Sequence, residues 1–110
     1  MHLIATLAIV AGGLHGIVMK GPTQPVCRAG QPCSSPAQVT LVFRRTGPAP
    51  RIFRTRSTTA GAYRIPLPAG YYTVTTAEKI GITPNIRPQR VHVRAGHQDA
   101  LNFRIDTGIR

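Results

Sequence analysis

Acidic residues are what this chain most lacks. Three carboxylates (Glu78, Asp99, Asp106) stand against 14 Lys and Arg, a formal net charge of +11. So few acids leave little from which to build the paired-carboxylate site that much acid–base catalysis uses. Tryptophan is absent and aromatics make up 5% of the chain. Few rings are therefore left to interleave with the basic residues, as single-stranded nucleic-acid recognition usually demands. No apolar run approaches the roughly 20 residues that span a bilayer, so no transmembrane segment is expected. Nor does an apolar stripe recur at 3.6-residue spacing past the first residues, so almost no helix is expected.

What is present favours strands. The 110 residues suffice for one domain. Ten prolines and 11 glycines, with 42% hydrophobic and only 15% charged residues, suit a turn-rich all-β domain. Twelve of the 14 basic residues are Arg, a skew that fits a G+C-rich coding sequence as readily as an anionic ligand.

Residues 1–13 read as a secretory signal. The apolar run Leu3–Val10 is the right length for its hydrophobic core, and Ala11-Gly12-Gly13 offers small residues before a cleavage point. The segment has His2 and no Lys or Arg ahead of that run, which leaves a different start or an extra apolar strand open. No Leu-x-x-Cys precedes Cys27, so no lipid anchor is expected. Residues 14–110 are the expected single domain, secreted or held at the extracellular side of the cell envelope. Cys27 and Cys33 flank Arg-Ala-Gly-Gln-Pro, a segment that turns the chain back on itself, and an oxidising compartment makes them a local disulfide. As a metal site the pair lacks a third and fourth ligand.

Period-two alternation marks the strands. They are expected at Leu14–Lys20, Gln38–Arg45, Arg51–Thr58, Tyr63–Leu67, Tyr72–Thr76, Arg90–Arg94 and Ala100–Ile105. In the first, both parities carry apolar groups, and in the third Ile52 and Phe53 are adjacent, so neither facing is set. The third is expected to pair with its successor across Thr59-Ala60-Gly61. Residues 21–36 and 78–89 form long Pro-rich connections. Within the strands Arg44, Arg64, Arg94, Arg104 and His92 fall on the outward parity, so the apolar core by itself produces a basic exterior.

The stretch Gly61-Ala-Tyr-Arg-Ile-Pro-Leu-Pro-Ala-Gly-Tyr-Tyr-Thr-Val74 reads as two short strands around a tight Pro-Ala-Gly turn. Its pattern resembles the central hairpin of prealbumin-like domains, also called carboxypeptidase regulatory-like or Cna-B-like. Weaker likenesses lie at His15–Val18, Val91–Gly96 and Leu101–Ile105, and the ending Asp106–Arg110 is similar to that of small exported actinobacterial members. The resemblance implies a seven-stranded Greek-key β-sandwich and no particular activity. Transthyretin-like hydroxyisourate hydrolases carry Ser-Thr-His-Val and end in Tyr-Arg-Gly-Ser; this chain has His15-Gly-Ile-Val and ends Thr-Gly-Ile-Arg. Isopeptide-forming members imply Lys20, Asn102 and an acid after Val74, where Thr76 stands, with Glu78 two residues on. The alternation of Asn102 opposite to Leu101 and Phe103 argues against that crosslink. The zinc carboxypeptidase motif, His-x-x-Glu with a further His, does not occur.

No metal or other cofactor is expected. His15, His92 and His97 are widely spaced, and Ser34 and Ser35 lack the Gly-x-Ser-x-Gly context of an activated nucleophile. The expectation is a non-catalytic, exported module for cell-envelope or extracellular interaction and adhesion. Its candidate anion-binding residues are Arg44, Arg64, Arg94 and Arg104, and the partners they suit are an anionic wall polymer, a glycan or an acidic protein. A basic surface without any cognate ligand accounts for the same charge. The alternatives are a hydrolase using His15 and His92 with Arg side chains, and a nucleic-acid-binding basic domain, the latter disfavoured by the signal.

Overall fold

Residues 12–79 and 85–109 are described by the computed structural model. The expected signal segment thus lies outside the described residues except for Gly12 and Gly13, as do residues 80–84 of the second long loop. The alternating segments form ten short strands in two sheets, a β-sandwich-like arrangement with no helix among the described residues. Three strands exceed the expectation. Two of them, β2 (Ser35–Pro36) and β7 (Ile86–Arg87), are two-residue pieces inside the Pro-rich connections, where no alternation can register. The third arises because the last expected strand is interrupted, as described below.

One sheet has four strands in the order β4 (Ile52–Arg56), β3 (Thr40–Arg45), β6 (Gly70–Thr76), β8 (Arg90–Val93). All its pairings are antiparallel, with Phe43 opposite Phe53 and Val74, and Tyr72 opposite Val91. The other sheet is organised around the long β1 (Gly13–Gly21). The first half of β1 lies between β5 (Ala62–Pro66), antiparallel, and β9 (Gln98–Ala100), parallel; its second half lies between β2 and β10 (Phe103–Asp106), with β7 beyond.

Packing resolves the two facings that alternation left open. Leu14 and Val18 are buried while His15 and Ile17 face outward, and Phe53 packs on the core while Ile52 is exposed. Phe43 of one sheet meets Phe103 of the other edge to face at 6.0 Å, and Tyr63 leans on Phe103 at 5.4 Å. Such aromatic contacts add to the burial that joins the sheets.

Two expected pairings are corrected. The segment Gly61–Val74 is not a hairpin: β5 pairs with β1 and β6 pairs with β3 and β8, so the Pro-Leu-Pro-Ala-Gly turn is an arch from one sheet to the other. Nor does β4 pair with β5 across Thr59-Ala60-Gly61. They belong to different sheets and touch at the edge, where the Thr55 hydroxyl donates to the Arg64 carbonyl at 3.3 Å. Both corrections share a cause. Tight turn chemistry shows that the chain reverses, but not whether it reverses within a sheet or across the core. Gly61 makes the crossing possible: its φ of +83° suits glycine, and its carbonyl accepts the Val18 amide at 2.8 Å.

The last strand is interrupted by an exchange of partners. β9 and β10 keep one register on β1, His15 opposite Ala100 and Val18 opposite Phe103. In a continuous parallel ladder the Ile17 amide would donate to the Leu101 carbonyl. Instead it donates to Asn102 Oδ1 at 2.9 Å, and the Leu101 carbonyl accepts from the Tyr63 hydroxyl at 2.6 Å. Gly16 is required beside this exchange, because any Cβ there would collide with the Leu101 carbonyl.

Candidate functional site

The four candidate arginines do not share a face. Arg44 projects from β3 on the outer side of the four-stranded sheet, and Arg94 lies just past β8 at the margin of that sheet. Arg64, on β5, and Arg104, on β10, project from the opposite side of the molecule. Outward parity is a property of each strand separately; which sheet a strand joins is a tertiary choice. A single arginine face made of all four is therefore ruled out by the topology.

The four-stranded sheet gathers a different set. Its inward residues (Leu41, Phe43, Tyr72, Val74, Val91, Val93) are buried, which turns their sequence neighbours out to solvent. Arg44 lies directly opposite Thr73, and Thr73 directly opposite Arg90, so the three form one row across β3, β6 and β8. Adjacent strands are about 5 Å apart, which puts the two arginine backbones about 10 Å apart with a hydroxyl between them. Arg54 on β4 lies opposite Val42, two residues along β3 from Arg44. Arg44, Arg54 and Arg90 have no ion pair among the described residues.

The acids near this face sit at its edges and are occupied. Arg56 contacts Glu78 at 3.0 Å, and Glu78 also accepts the Thr40 amide at 2.9 Å. Desolvation pushes the Glu78 carboxyl up, but the hydrogen bonds from Thr40 and Arg56 outweigh it and hold the group below the usual carboxylate range. Arg94 contacts Asp99 at 3.0 Å. That hydrogen bond and the positive charge of Arg94 hold the Asp99 carboxyl low as well. Two residues along β6 from Thr73, Tyr71 lies opposite His92, and their rings stack at 4.2 Å with planes 10° apart. Tyr71 is 63% exposed, so the stack stands above the sheet.

Tyr71 is legible as an outward-facing residue in the sequence, whereas the facing of Arg54 is not, because the adjacent Ile52 and Phe53 leave that strand's parity open until packing sets it. The roles of Arg90 and Thr73 are not legible either, although the alternation Arg90-Val91-His92-Val93 carries the needed signal for the first. Cross-strand register, which no single segment contains, is what lines Thr73 up with both arginines.

The remaining candidates are dispersed. His15 lies on β1 and borders a groove on the opposite sheet, whereas His92 borders a 290 Å³ cavity with Arg90 and Asp99. The two histidines lie on strands of separate sheets. Lys20 lies opposite Ile105 while Asn102 lies beside Ile17, three residues back along β1, and Asn102 Oδ1 is committed to the Ile17 amide. Thr76 donates its hydroxyl to the Glu78 carbonyl at 2.7 Å. Cys27 and Cys33 form a disulfide within the exposed connection between β1 and β2. Among the described residues no three His, Cys, Asp or Glu side chains converge as a metal site, and no helix is long and apolar enough to cross a membrane. Comparisons of the chain with protein-family models, with curated proteins and with solved structures find no match.

Proposed function

We propose that this chain is an exported, non-catalytic β-sandwich module that binds an anionic polymer of the cell envelope or extracellular space through the outer face of its four-stranded sheet. The row Arg44–Thr73–Arg90, flanked by Arg54 and free of acidic partners among the described residues, carries the reading. Arginines left without carboxylates on the outer face of a sheet offer bidentate donors to carboxylate or phosphate groups. A row of donors that runs across three strands suits an extended chain better than a compact ligand. The prealbumin-like assignment of the sandwich, with its Greek-key connectivity, rests on the Gly61–Val74 pattern. Export rests on the apolar run Leu3–Val10 and agrees with the disulfide.

Binding to a polyuronate and to a polyphosphate, titrated against salt, tests the reading. Affinity should fall steeply as salt rises. Arg44→Ala with Arg54→Ala and Arg90→Ala should weaken it by at least about tenfold, given about 1.5–3 kcal/mol for each hydrogen bond to a charged group. Arg64→Ala with Arg104→Ala, on the other sheet, should leave it unchanged. Equal binding by all variants would remove the face from consideration.

A polynucleotide is the second reading, favoured by the exposed Tyr71–His92 stack beside Arg90. Tyr71→Ala separates the two, because it should weaken an oligonucleotide far more than a polyphosphate.

For export, the intact mass of protein from its native host is the test. Gly12 and Gly13 already belong to the fold: the Gly12 carbonyl accepts the Leu67 amide at 2.9 Å and the Gly13 amide donates to the His97 carbonyl at 2.8 Å. Cleavage before Gly12 keeps both bonds, whereas cleavage after Gly13 removes both. A full-length mass would overturn export.

A further inference from the structure

The sheet opposite the arginine row carries a groove of about 610 Å³, bordered by β1, β5 and the edge of β4. That volume is within the range that takes small organic ligands. We propose that this groove binds a small amphipathic carboxylate, its carboxyl group at His15 and Arg64 and its apolar body on Ile17 and Ala62.

Register sets the polarity of the site. His15 lies directly opposite Arg64, and two residues along β1 Ile17 lies directly opposite Ala62. The two pairs face the same side, roughly 7 Å apart along the strands. One end of the groove is therefore cationic or hydrogen-bonding and the next is apolar, which is the layout of a carboxylate with a hydrocarbon body. Ile17 is 38% exposed, one of the few large apolar side chains that the core leaves uncovered.

The charged side chains that line the groove have one sign, although Asp99 of the neighbouring strand acts on His15 and Glu78 on Arg56. Arg56 and Arg64 border it and no Asp or Glu among the described residues does. Arg56 is engaged by Glu78, while Arg64 makes no ion pair among the described residues. Asn102 has spent its side-chain oxygen on the Ile17 amide, so the part of its amide left to offer is the NH2 donor. Among the described residues His15 Nδ1 is the buried side-chain polar atom with no hydrogen-bond partner. A buried polar atom left unpaired is costly, and in this proposal the ring turns to give that nitrogen the incoming carboxylate as its partner. A cationic ligand would meet donors and positive charge, and a neutral alcohol would leave Arg64 unpaired.

Octanoate is the probe, with octanol and octylamine as controls, followed by NMR on the full chain. Octanoate should give saturable shifts at the His15 ring and the Ile17 methyls while Tyr71 and His92 stay still; the two controls should bind at least about tenfold more weakly. Arg64→Gln, at an exposed position, should cost at least about tenfold in octanoate affinity, and Ile17→Ser should weaken it separately. Octanol binding as tightly as octanoate, or Arg64→Gln binding like the parent protein, would overturn the proposal. So would self-association that covers Ile17 and excludes octanoate. These residues lie on the sheet opposite the arginine row, so either proposal can fail alone.

Discussion

The Tyr63 hydroxyl donates to the Leu101 carbonyl at 2.6 Å, across 38 residues of sequence. This bond takes the acceptor that a continuous β1–β9–β10 ladder would give to Ile17, and it anchors the arch strand β5 to the interruption in the final strand. The Tyr63 ring is buried against Phe103 at the same time.

Tyr63→Phe should therefore destabilise the fold by about 1–3 kcal/mol, since it leaves the Leu101 carbonyl without its donor. It should also change the alkaline limb of stability. Burial raises the Tyr63 hydroxyl pKa well above its ordinary value. A group raised in the folded state contributes stability that is complete below its unfolded pKa, about 10, and lost as pH rises beyond it. Thermal melts from pH 7 to 11 should show a decline above about pH 10 that is shallower in Tyr63→Phe. An identical decline in both proteins would assign the alkaline loss to other groups.

Ser57 is a polar residue that the core encloses. Its hydroxyl donates to the Ala37 carbonyl at 2.6 Å and accepts the Val39 amide at 2.8 Å, joining the exit of β4 to the entry of β3. Ser57→Ala strands both backbone groups, and urea unfolding should show a loss of about 1–3 kcal/mol. The neighbouring Thr58 is exposed, and its hydroxyl accepts the Ala62 amide at 3.1 Å where water can take its place. Thr58→Ala should therefore cost less than Ser57→Ala, and equal losses would show that burial of the Ser57 hydroxyl is not what makes it matter.

The edge ion pair predicts behaviour in acid. Glu78 is held below the usual carboxylate range by Thr40 and Arg56. A depressed folded pKa gives stability that is present above the unfolded value, about 4.3, and lost as pH falls through the folded one. Melting temperature should therefore drop below about pH 4, and Glu78→Gln should flatten that drop by lowering the melting temperature slightly at pH 7 while leaving it unchanged at the acid end. An unchanged acid limb would show that Glu78 does not carry it.

Reduction of the Cys27–Cys33 bridge tests how far the long connection matters. The loop it closes is short, so the loop-entropy contribution is about 2 kcal/mol at most. Cys27→Ser with Cys33→Ser should lower the melting temperature modestly and leave β-sheet circular dichroism intact, because the bridge lies outside the buried core. Loss of the folded spectrum would make the bridge essential.

Local alternation determined most of the secondary structure before any contact was known. Tyr63, Ile65, Leu67, Tyr72 and Val74 lie on the core parity expected of them, and Arg44, Arg64, Arg104 and His92 face solvent. Burial forces this outcome, since one face of each strand must leave water and the side-chain period of a strand is two. The disulfide was likewise legible in the spacing of Cys27 and Cys33. What only the tertiary structure decided was which strands became neighbours. The turn at Pro66–Gly70 reverses the chain whether it closes a hairpin or arches over the core, and the arch placed Arg64 and Arg44 on opposite sides. The same choice of neighbours set Thr73 between Arg44 and Arg90, and His15 beside Arg64. Parity is a property of one segment, whereas register is a relation between two, and the groups that meet at a site are set by register.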